Sequence, residues 1–305
     1  MPNGNNSLTI DPRLLEQIKG IELKSRFLVR GLFENRHRTR DFGASNEFVE
    51  HKDYQQGDEI RRIDWRAFAR TRRLYVKRFE MEANMRVHIL LDTSDSMRVP
   101  AADRRPTKLD LAATIAGAVA MMAVTQQDSS GLFCLGDKIE EAIPARQGLR
   151  HLALLYQHLG APAGKGGGNF GQVAWETLQR IGRRGVVFVL TDALDDLDPM
   201  FETLKGLAVR EQDVSLIQVL DETELTFPFD TMTEFRHPES GQRLMGDPLQ
   251  LRARYLERLE AHQSRIGEFC RQHGVDYLRL HNGEDLIALF SSHFVRRLLR
   301  GSGRC

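Results

Sequence analysis

The chain has 305 residues, of which 41% are hydrophobic and 28% are charged, and its formal net charge is +1 at pH 7. This length and composition provide a full-sized core and predict one large α/β domain with an additional region. A net charge so close to zero predicts no general attraction to nucleic acid or to a membrane surface.

The N-terminal residues and the cysteines predict a cytoplasmic location. Residues 1–9 are polar and do not resemble a secretory signal. The longest apolar run, from about Leu111 to Val124, is shorter than the roughly 20 residues that a bilayer-spanning helix requires. We therefore predict a buried helix there and no membrane span. The three cysteines are far apart and odd in number, which indicates neither a metal site nor a disulfide framework.

The sequence pattern of residues 1–85 predicts an accessory region that contains helix and strand. Asp11-Pro12 is typical of a helix start, since proline fits the first helical position, and apolar residues then recur at helical spacing to about Asn35. The basic segment Arg36–Arg40 is typical of a solvated surface, so we predict no nucleic-acid binding. Leu74–Phe79 alternates apolar and charged residues, which predicts a half-buried strand.

Residues 86–305 alternate between strand and helix patterns, which predicts a doubly wound, mostly parallel α/β sheet. Val87–Leu91 and Val186–Leu190 are apolar runs typical of strands buried on both faces. Thr107 and Asp110 form a capping-box pattern ahead of a helix over Leu109–Thr125. The other predicted strands are Gly131–Cys134, Ile139–Ile143, Val214–Leu220 and Val275–Leu280. The other predicted helices are Leu149–Leu159, one ending near Ile181, Pro199–Val209, Pro248–Gln272 and Glu284–Leu299.

Two irregular segments interrupt this alternation. A hairpin insertion is predicted near residues 222–247, with its two strands in Glu234–Leu244 and its tip at Glu239-Ser240-Gly241. The glycine-rich loop Gly164–Gly171 superficially resembles a phosphate loop around Lys165. In Gly160-x-x-x-Gly164-Lys165-Gly166 the two glycines before the lysine are one residue closer than in a phosphate loop, and no Ser or Thr follows the lysine. We therefore predict no ATP binding there.

Two of the predicted buried strands lead directly into an aspartate. Leu91 precedes Asp92 in Asp92-Thr93-Ser94-Asp95-Ser96, and the second strand ends at Thr191-Asp192. Ligands of open α/β sheets bind beyond the carboxyl ends of the strands, and hard oxygen ligands suit Mg²⁺. We therefore predict a magnesium site at Asp92, Ser94 and Ser96, with Asp192 acting directly or through water. The alternative is a turn whose side chains only cap backbone N–H groups.

Several segments of the chain resemble a known bacterial family. Asp92–Met97 after an apolar strand is similar to the metal-ion-dependent adhesion site of von Willebrand factor A domains. Most of the chain, from about Leu14 to Arg297, resembles the family called domain of unknown function 58. The resemblance rests on Glu47-Phe48, Tyr54–Asp58, Arg61–Trp65, Ala69–Thr71, Leu74–Lys77, Leu225–Phe229, Gly241–Leu244 and His273–Tyr277.

This resemblance implies a von Willebrand factor A-like domain with no established catalytic activity. It also implies a partner, because similar proteins are encoded beside AAA+ ATPases of the MoxR type and are thought to act with them in chaperone-like roles. Many members carry transmembrane helices near the N-terminus, and we expect none in this chain. We therefore expect a non-enzymatic protein–protein interaction module that depends on Mg²⁺.

The glycine-rich loop departs from the pattern of the adhesion site. That site takes a threonine from a Gly-Gly-Thr loop, and Gly168 stands at the threonine position here. Glycine offers no side-chain ligand, so either Asn169 substitutes through its carbonyl oxygen or water fills the position.

Two further questions stay open at this stage. The cluster Asp58–Arg70, which contains arginines, aspartates and Trp65, is either a docking surface or an ion-pair network with Trp65 as a core anchor. We favour the ion-pair network. The enzymatic alternative is a metal-dependent hydrolase or phosphotransferase using Asp92, since aspartyl phosphotransferases also place an aspartate after the first strand. Such enzymes have a second aspartate two residues after the first, and Ser94 occupies that position here.

Overall fold

The computed structural model describes residues 20–36, 50–53, 65–78, 85–99, 106–164, 166–167 and 169–283. Its strands are β1 Glu50–Asp53, β2 Tyr75–Arg78, β3 Arg86–Asp92, β4 Ser129–Leu135, β5 Ile139–Arg146, β6 Gly185–Thr191, β7 Gln212–Leu220, β8 Thr233–Arg236, β9 Arg243–Gly246 and β10 Asp276–His281. Its helices are α1 Ile21–Arg36, α2 Trp65–Thr71, α3 Lys108–Thr125, α4 Leu149–Gly160, α5 Phe170–Thr177, α6 Leu197–Val209, α7 Glu222–Thr226 and α8 Pro248–His273. A short 3-10 turn, Ser96–Arg98, follows β3.

Six strands form the main sheet, in the order β10-β7-β6-β3-β4-β5. Neighbouring strands run parallel except β4 and β5, which pair antiparallel at one edge. The prediction of a doubly wound, mostly parallel α/β sheet is therefore confirmed. The sequence pattern predicted β4 and β5 as strands but did not predict that β5 would pair antiparallel.

The sheet reverses its winding direction between β3 and β6. From β3 the chain moves outward to β4 and β5, and then returns to form β6 on the other side of β3. The loops that leave the carboxyl ends of β3 and β6 therefore diverge, and they leave a crevice between them. Because both predicted aspartates follow these two strands, the topology places them together.

Alternate residues of the central strands pack into two separate cores. Ile89 and Leu91 belong to the core that contains α3 and α4, whereas Leu90 and Val189 belong to the core that contains α5, α6 and α8. Both faces of β3 are buried. This explains the near-continuous apolar pattern of the strand, since a sheet covered on both sides has no polar face.

Helix α3 lies in the first core and starts at the predicted capping box. The Thr107 side chain accepts a hydrogen bond from the Asp110 backbone N–H, and the Asp110 side chain accepts one from the Thr107 N–H. Among the described helices, α3 alone is long and apolar enough to cross a membrane, and 78% of it is buried inside the protein. Its apolar character is thus accounted for by packing in the core.

Helix α1 packs against α3 and shares its core. Leu28 and Val29 are buried with the residues of β3 and α3. A side chain at Gly117 of α3 would collide with the Ser25 hydroxyl and lie 3.1 Å from the Tyr156 ring, so glycine allows the two helices to approach closely. The packing therefore places α1 within the α/β domain, although the sequence pattern assigned it to a separate accessory region of residues 1–85.

Among the described residues of the rest of the accessory region, one prediction agrees with the structure and one differs from it. Strands β1 and β2 pair antiparallel, in agreement with a strand near Leu74–Phe79. Trp65 is 59% exposed and contacts Phe68 edge to face. The prediction that Trp65 anchors a core is therefore wrong, because its ring lies mainly on the surface of α2. Asp58, Arg61, Arg62 and Asp64 lie outside the described residues.

The predicted hairpin insertion is present, and two neighbouring elements differ from expectation. Strands β8 and β9 pair antiparallel around a tip that contains Glu239. Short helix α7 precedes the hairpin and was not predicted; Asp221 and Glu224 form its capping box. Helix α5 ends at Thr177, earlier than predicted. The predicted helix Glu284–Leu299 lies outside the described residues.

Candidate functional site

Asp92 lies at the carboxyl end of β3, and both of its carboxylate oxygens accept hydrogen bonds. The Thr191 hydroxyl donates to Oδ2 over 2.6 Å, and the Ser94 backbone N–H donates to Oδ1 over 3.0 Å. The Asp92 residue is only 2% exposed. These neutral donors fix the orientation of the carboxylate but do not balance its charge.

The two predicted serine ligands lie next to each other beside Asp92. The Ser94 Oγ and Ser96 Oγ atoms are 3.0 Å apart, and the Ser94 side chain also hydrogen-bonds to Asp92. Ser94 is buried and Ser96 is half-buried. The 3-10 turn begins at Ser96, and the Met97 backbone N–H within it donates to the Ser94 carbonyl over 3.2 Å.

Asp192, at the end of β6, is paired with a buried cation. Lys108 Nζ lies 2.8 Å from Asp192 Oδ2 and 2.6 Å from Glu224 Oε1. The Lys108 side chain is 3% exposed and the Asp192 side chain 4%. Burial would lower the pKa of Lys108, but the two carboxylates outweigh it and hold that pKa above its ordinary value. Lys108 is therefore charged and neutralises the Asp192 side of the crevice.

The buried environment of Asp92 raises the pKa of its carboxyl group. Burial and the nearby Asp192 carboxylate raise the pKa of Asp92 to about 7, although the hydrogen bonds from Thr191 and Ser94 act in the opposite direction. A buried carboxylate without a cation favours its protonated form. A divalent cation beside Asp92 would supply the missing positive charge.

The glycine-rich loop forms one wall of the crevice. The Asp95 backbone N–H donates to the Gly166 carbonyl over 2.8 Å. The Arg98 guanidinium donates to the carbonyls of Thr93, Pro162 and Gly164. Arg98 therefore holds the loop after β3 and the glycine-rich loop in a fixed relation.

The predicted substitute ligand in this loop is not joined to the other site residues. Asn169 is exposed, and its side chain does not cap α5. Within the described part of the chain, no hydrogen bond connects it with Asp92, Ser94, Ser96 or Asp192. Gly168 lies outside the described residues. Hydrogen bonds thus link Asp92, Ser94 and Ser96, and Asp192 lies near enough to act on the Asp92 carboxylate, whereas the role of Asn169 stays a prediction.

The tip of the β8–β9 hairpin also reaches the crevice. A side chain added at Gly167 would collide with Glu239 Oε1 and lie 2.7 Å from Ser94 Cβ, so both groups pack against the same α-carbon. Burial, followed by the carboxylates of Asp195 and Asp192 and then of other aspartates, raises the pKa of Glu239 to about 7.

The donor set fits a hard divalent cation that keeps bound water. The described residues contain no group of three or more His, Cys, Asp or Glu side chains arranged to hold a metal ion. A cation here would therefore depend on the Ser94 and Ser96 hydroxyls, the Asp92 carboxylate and water, which suits Mg²⁺. Because Lys108 already pairs with Asp192, that residue fits a contact through water better than a direct one.

Several residues of the crevice were not predicted from the sequence. Thr191 directly precedes a predicted ligand, and its position after a buried strand was the available signal. Lys108, at a helix start, and Arg98, at the end of a short turn, gave no signal, because charged residues at both kinds of position are ordinarily solvated. Glu239 belongs to the predicted hairpin tip, but no sequence rule indicates which loop such a tip contacts.

The comparison with protein families decides the kinship of the chain. A model of the family described as "Protein of unknown function DUF58" matches residues 50–265. The chain belongs to this family. Uncharacterized protein Rv1480 of Mycobacterium tuberculosis is 27% identical over 285 residues, which cover 91% of this chain and 88% of that protein. Uncharacterized protein Mb1516 of Mycobacterium bovis matches to the same extent. The family resemblance inferred from the sequence is thus confirmed.

Solved structures with a similar fold are more distant in sequence. BatB from Bacteroides thetaiotaomicron has a TM-score of 0.46 and 16% identity, and the match covers 72% of this chain and 100% of that one. The von Willebrand factor A domain of SpRpn10 has a TM-score of 0.38 and 14% identity, with 73% and 100% coverage. At these identities the likeness concerns the fold alone.

A third solved structure with a similar fold is an aerotolerance-related membrane protein from Bacteroides fragilis. It has a TM-score of 0.43 and 16% identity, and the match covers 67% of this chain and 96% of that one. The cytoplasmic location of this DUF58 protein stays a prediction from the sequence.

Proposed function

We propose that this DUF58 protein is a non-enzymatic protein-interaction module whose docking face surrounds a Mg²⁺ held by Asp92, Ser94 and Ser96. The observation that carries the proposal is the pair of adjacent serine hydroxyls, 3.0 Å apart, beside the buried Asp92 carboxylate, with which no described Lys, Arg or His forms an ion pair. Such a set leaves coordination positions open, and a carboxylate of a partner protein fits one of them.

The position of the site favours recognition of a large partner. The site lies at the carboxyl edge of the sheet, where the loops after β3 and β6 diverge. The hydrogen bonds of Arg98 hold the surrounding loops, so the docking face is organised before a partner arrives. Preorganisation of this kind lowers the cost of binding.

We further propose that the partner is a MoxR-type AAA+ ATPase and that the pair acts in a chaperone-like or complex-assembly role. This proposal rests on membership of the DUF58 family and on the resemblance described above. It is an inference by analogy, since a fold or family does not by itself define a partner.

The residue two positions after Asp92 does not favour the enzymatic alternative. An aspartyl phosphotransferase has a second aspartate at that position, and Ser94 stands there in this chain. A hydrolase or phosphotransferase that uses Asp92 predicts turnover of a generic phosphoester that is lost in Asp92→Ala.

Two measurements on the full chain test the proposal. Isothermal titration calorimetry with Mg²⁺ should show binding that is lost in Ser94→Ala/Ser96→Ala, because both hydroxyl ligands are removed. Ser264→Ala, on the exposed face of α8, should bind Mg²⁺ as the wild type does. Affinity capture from the native lysate, with Mg²⁺ or with EDTA, should retain an AAA+ ATPase only when Mg²⁺ is present.

The outcomes of the capture experiment separate the parts of the proposal. If the ATPase is retained equally with Mg²⁺ and with EDTA, the interaction stands and the role of the metal is wrong. If mass spectrometry identifies no AAA+ ATPase under either condition, the proposed partner is wrong. In that case the phosphoester assay on wild type and Asp92→Ala becomes the deciding experiment.

A further inference from the structure

At the tip of the hairpin formed by β8 and β9, the Glu239 side chain is less exposed than its neighbours. Glu239 is half-buried, whereas His237, Pro238 and Ser240 around it are exposed. The backbone N–H groups of Glu239 and Ser240 both donate to His237 Nδ1. The tip therefore curls around His237 and turns the Glu239 side chain toward the protein.

Aromatic packing fixes the base of this hairpin. The ring of Phe227 lies 5.5 Å from that of Phe235 and 4.7 Å from that of Tyr255 on α8, and Phe229 packs edge to face against both Phe227 and Phe235. Aromatic pairs of this kind stabilise a contact beyond simple burial. The hairpin is thus held at its base by contacts that do not involve its tip.

The carboxylate of Glu239 lies over the loops of the candidate metal site. It packs on the α-carbon of Gly167, against which the Ser94 side chain also packs. Gly166, the preceding residue, accepts the hydrogen bond from the Asp95 backbone. The hairpin tip, the glycine-rich loop and the loop after β3 therefore meet at one point, which is the outer side of Ser94.

Several carboxylates approach Glu239 at this point. Those of Asp195, Asp192, Asp95 and Asp137 act on it, and of these Asp192 is already paired with Lys108. Within the described part of the chain, no hydrogen bond or ion pair reaches the Glu239 carboxylate. Like charges at short range repel, so a cation beside Ser94 would relieve the repulsion between Glu239 and the unpaired carboxylates.

We propose that the β8–β9 hairpin is an intramolecular ligand of the metal site, with the Glu239 carboxylate in the position that a partner's carboxylate takes. This inference rests on the proposed function, because it requires a cation at Asp92, Ser94 and Ser96. It adds that partner binding displaces the hairpin tip, so the free protein is held in a self-occupied state. The partner accordingly presents an acidic side chain.

The test uses the full chain with Mn²⁺ as the spectroscopic probe for the Mg²⁺ site. Calorimetry gives the Mn²⁺ affinity, and pulsed electron paramagnetic resonance gives the water bound to the ion. Glu239→Gln removes the charge and keeps the shape. Glu234→Gln is the matched control, since Glu234 lies on the same hairpin in an exposed ion pair with Arg243. Circular dichroism establishes that both variants fold.

The expected result is a loss of Mn²⁺ affinity of about tenfold or more in Glu239→Gln, with one additional water on the ion and faster amide exchange at the hairpin tip. Glu234→Gln should match the wild type. An affinity in Glu239→Gln that equals or exceeds that of the wild type overturns the inference, since the carboxylate then contributes nothing to the site or only repels the ion.

The same titrations separate this inference from the proposed function. Wild-type binding that is lost in Ser94→Ala/Ser96→Ala but unchanged in Glu239→Gln leaves the metal site standing and refutes only the hairpin's role. A folded wild type that binds no Mn²⁺ refutes the metal site and the hairpin ligand together.

Discussion

The two aspartates at the strand ends share their burial and differ in their charge balance. Asp92 is 2% exposed and Asp192 is 3% exposed, and each follows a central parallel strand. Asp192 is paired with the ammonium of Lys108 at 2.8 Å. Asp92 accepts hydrogen bonds from the Thr191 hydroxyl and the Ser94 backbone N–H, and among the described residues no Lys, Arg or His forms an ion pair with it.

This difference indicates two separate roles for similar residues. The fold itself neutralises Asp192, so that carboxylate contributes to the structure of the crevice. The fold leaves Asp92 without a cation, at the expense of an unfavourable buried charge, and that arrangement is typical of a binding site. The sequence pattern after β3 and β6 is alike, but the side chains that approach from other elements separate the two positions.

The largest expected effect comes from removing the cation that pairs with Asp192. Lys108→Met leaves Asp192 and Glu224 buried without a positive partner, and we expect a loss of about 3–5 kcal/mol in the free energy of unfolding. Urea denaturation measures this change in the free energy of unfolding. Lys205→Met is the control, because Lys205 pairs with Glu202 on the surface and such pairs contribute at most about 1 kcal/mol. Equal losses in the two variants would contradict the assigned role of Lys108.

A smaller effect is expected from the cation that Asp92 lacks. Mg²⁺ at 100 times its dissociation constant should raise the free energy of unfolding of the wild type by about 2.7 kcal/mol. Asp92→Asn should abolish this increase, because the carboxylate ligand is removed. Asp198→Asn, which changes an exposed aspartate that pairs with Arg265, should keep it. Thermal or urea unfolding with and without Mg²⁺ measures the increase. If Asp92→Asn shows the full increase, the cation binds elsewhere.

The effect that is smallest for each step of its measurement concerns His88, a buried titratable residue on β3, because it accumulates gradually as the pH falls. Burial, and secondarily the charge of Arg86, lower the pKa of His88 to about 4 from an ordinary value of 6.5. Its stabilising contribution is therefore complete above pH 6.5 and is lost as the pH falls toward 4, because only the unfolded state binds the proton in that window. We expect a loss of at most about 1.4 kcal/mol per pH unit.

The Asp92→Asn background isolates this effect, since Asp92 titrates in an overlapping range. Urea denaturation at several pH values between 4 and 7 would compare Asp92→Asn with Asp92→Asn/His88→Leu. The single variant should lose stability with falling pH faster than the double variant. Parallel pH profiles would mean that His88 takes up its proton in the folded state as readily as in the unfolded one.

Local patterns predicted the elements of the domain well. The capping box at Thr107 and Asp110 starts α3 within one residue of its predicted start. Pro248 at the first position and Gly274 after the last turn bound α8, as expected of these residues. Trp65 shows the limit of this approach, because an aromatic residue predicts packing, whereas exposure depends on what the rest of the chain places over it.

The sequence by itself determined the alternation of strand and helix, and the placement of Asp92, Ser94, Ser96 and Asp192 after two buried strands. These features follow from the periodicity of apolar residues and from local capping, which act over a few neighbouring positions. Only the tertiary structure decided that Lys108 neutralises Asp192, that Arg98 holds the glycine-rich loop, and that Glu239 packs on Gly167 beside Ser94. Each of these contacts joins residues far apart in the chain, and a buried charge has no local sequence signal because its partner is supplied by the fold.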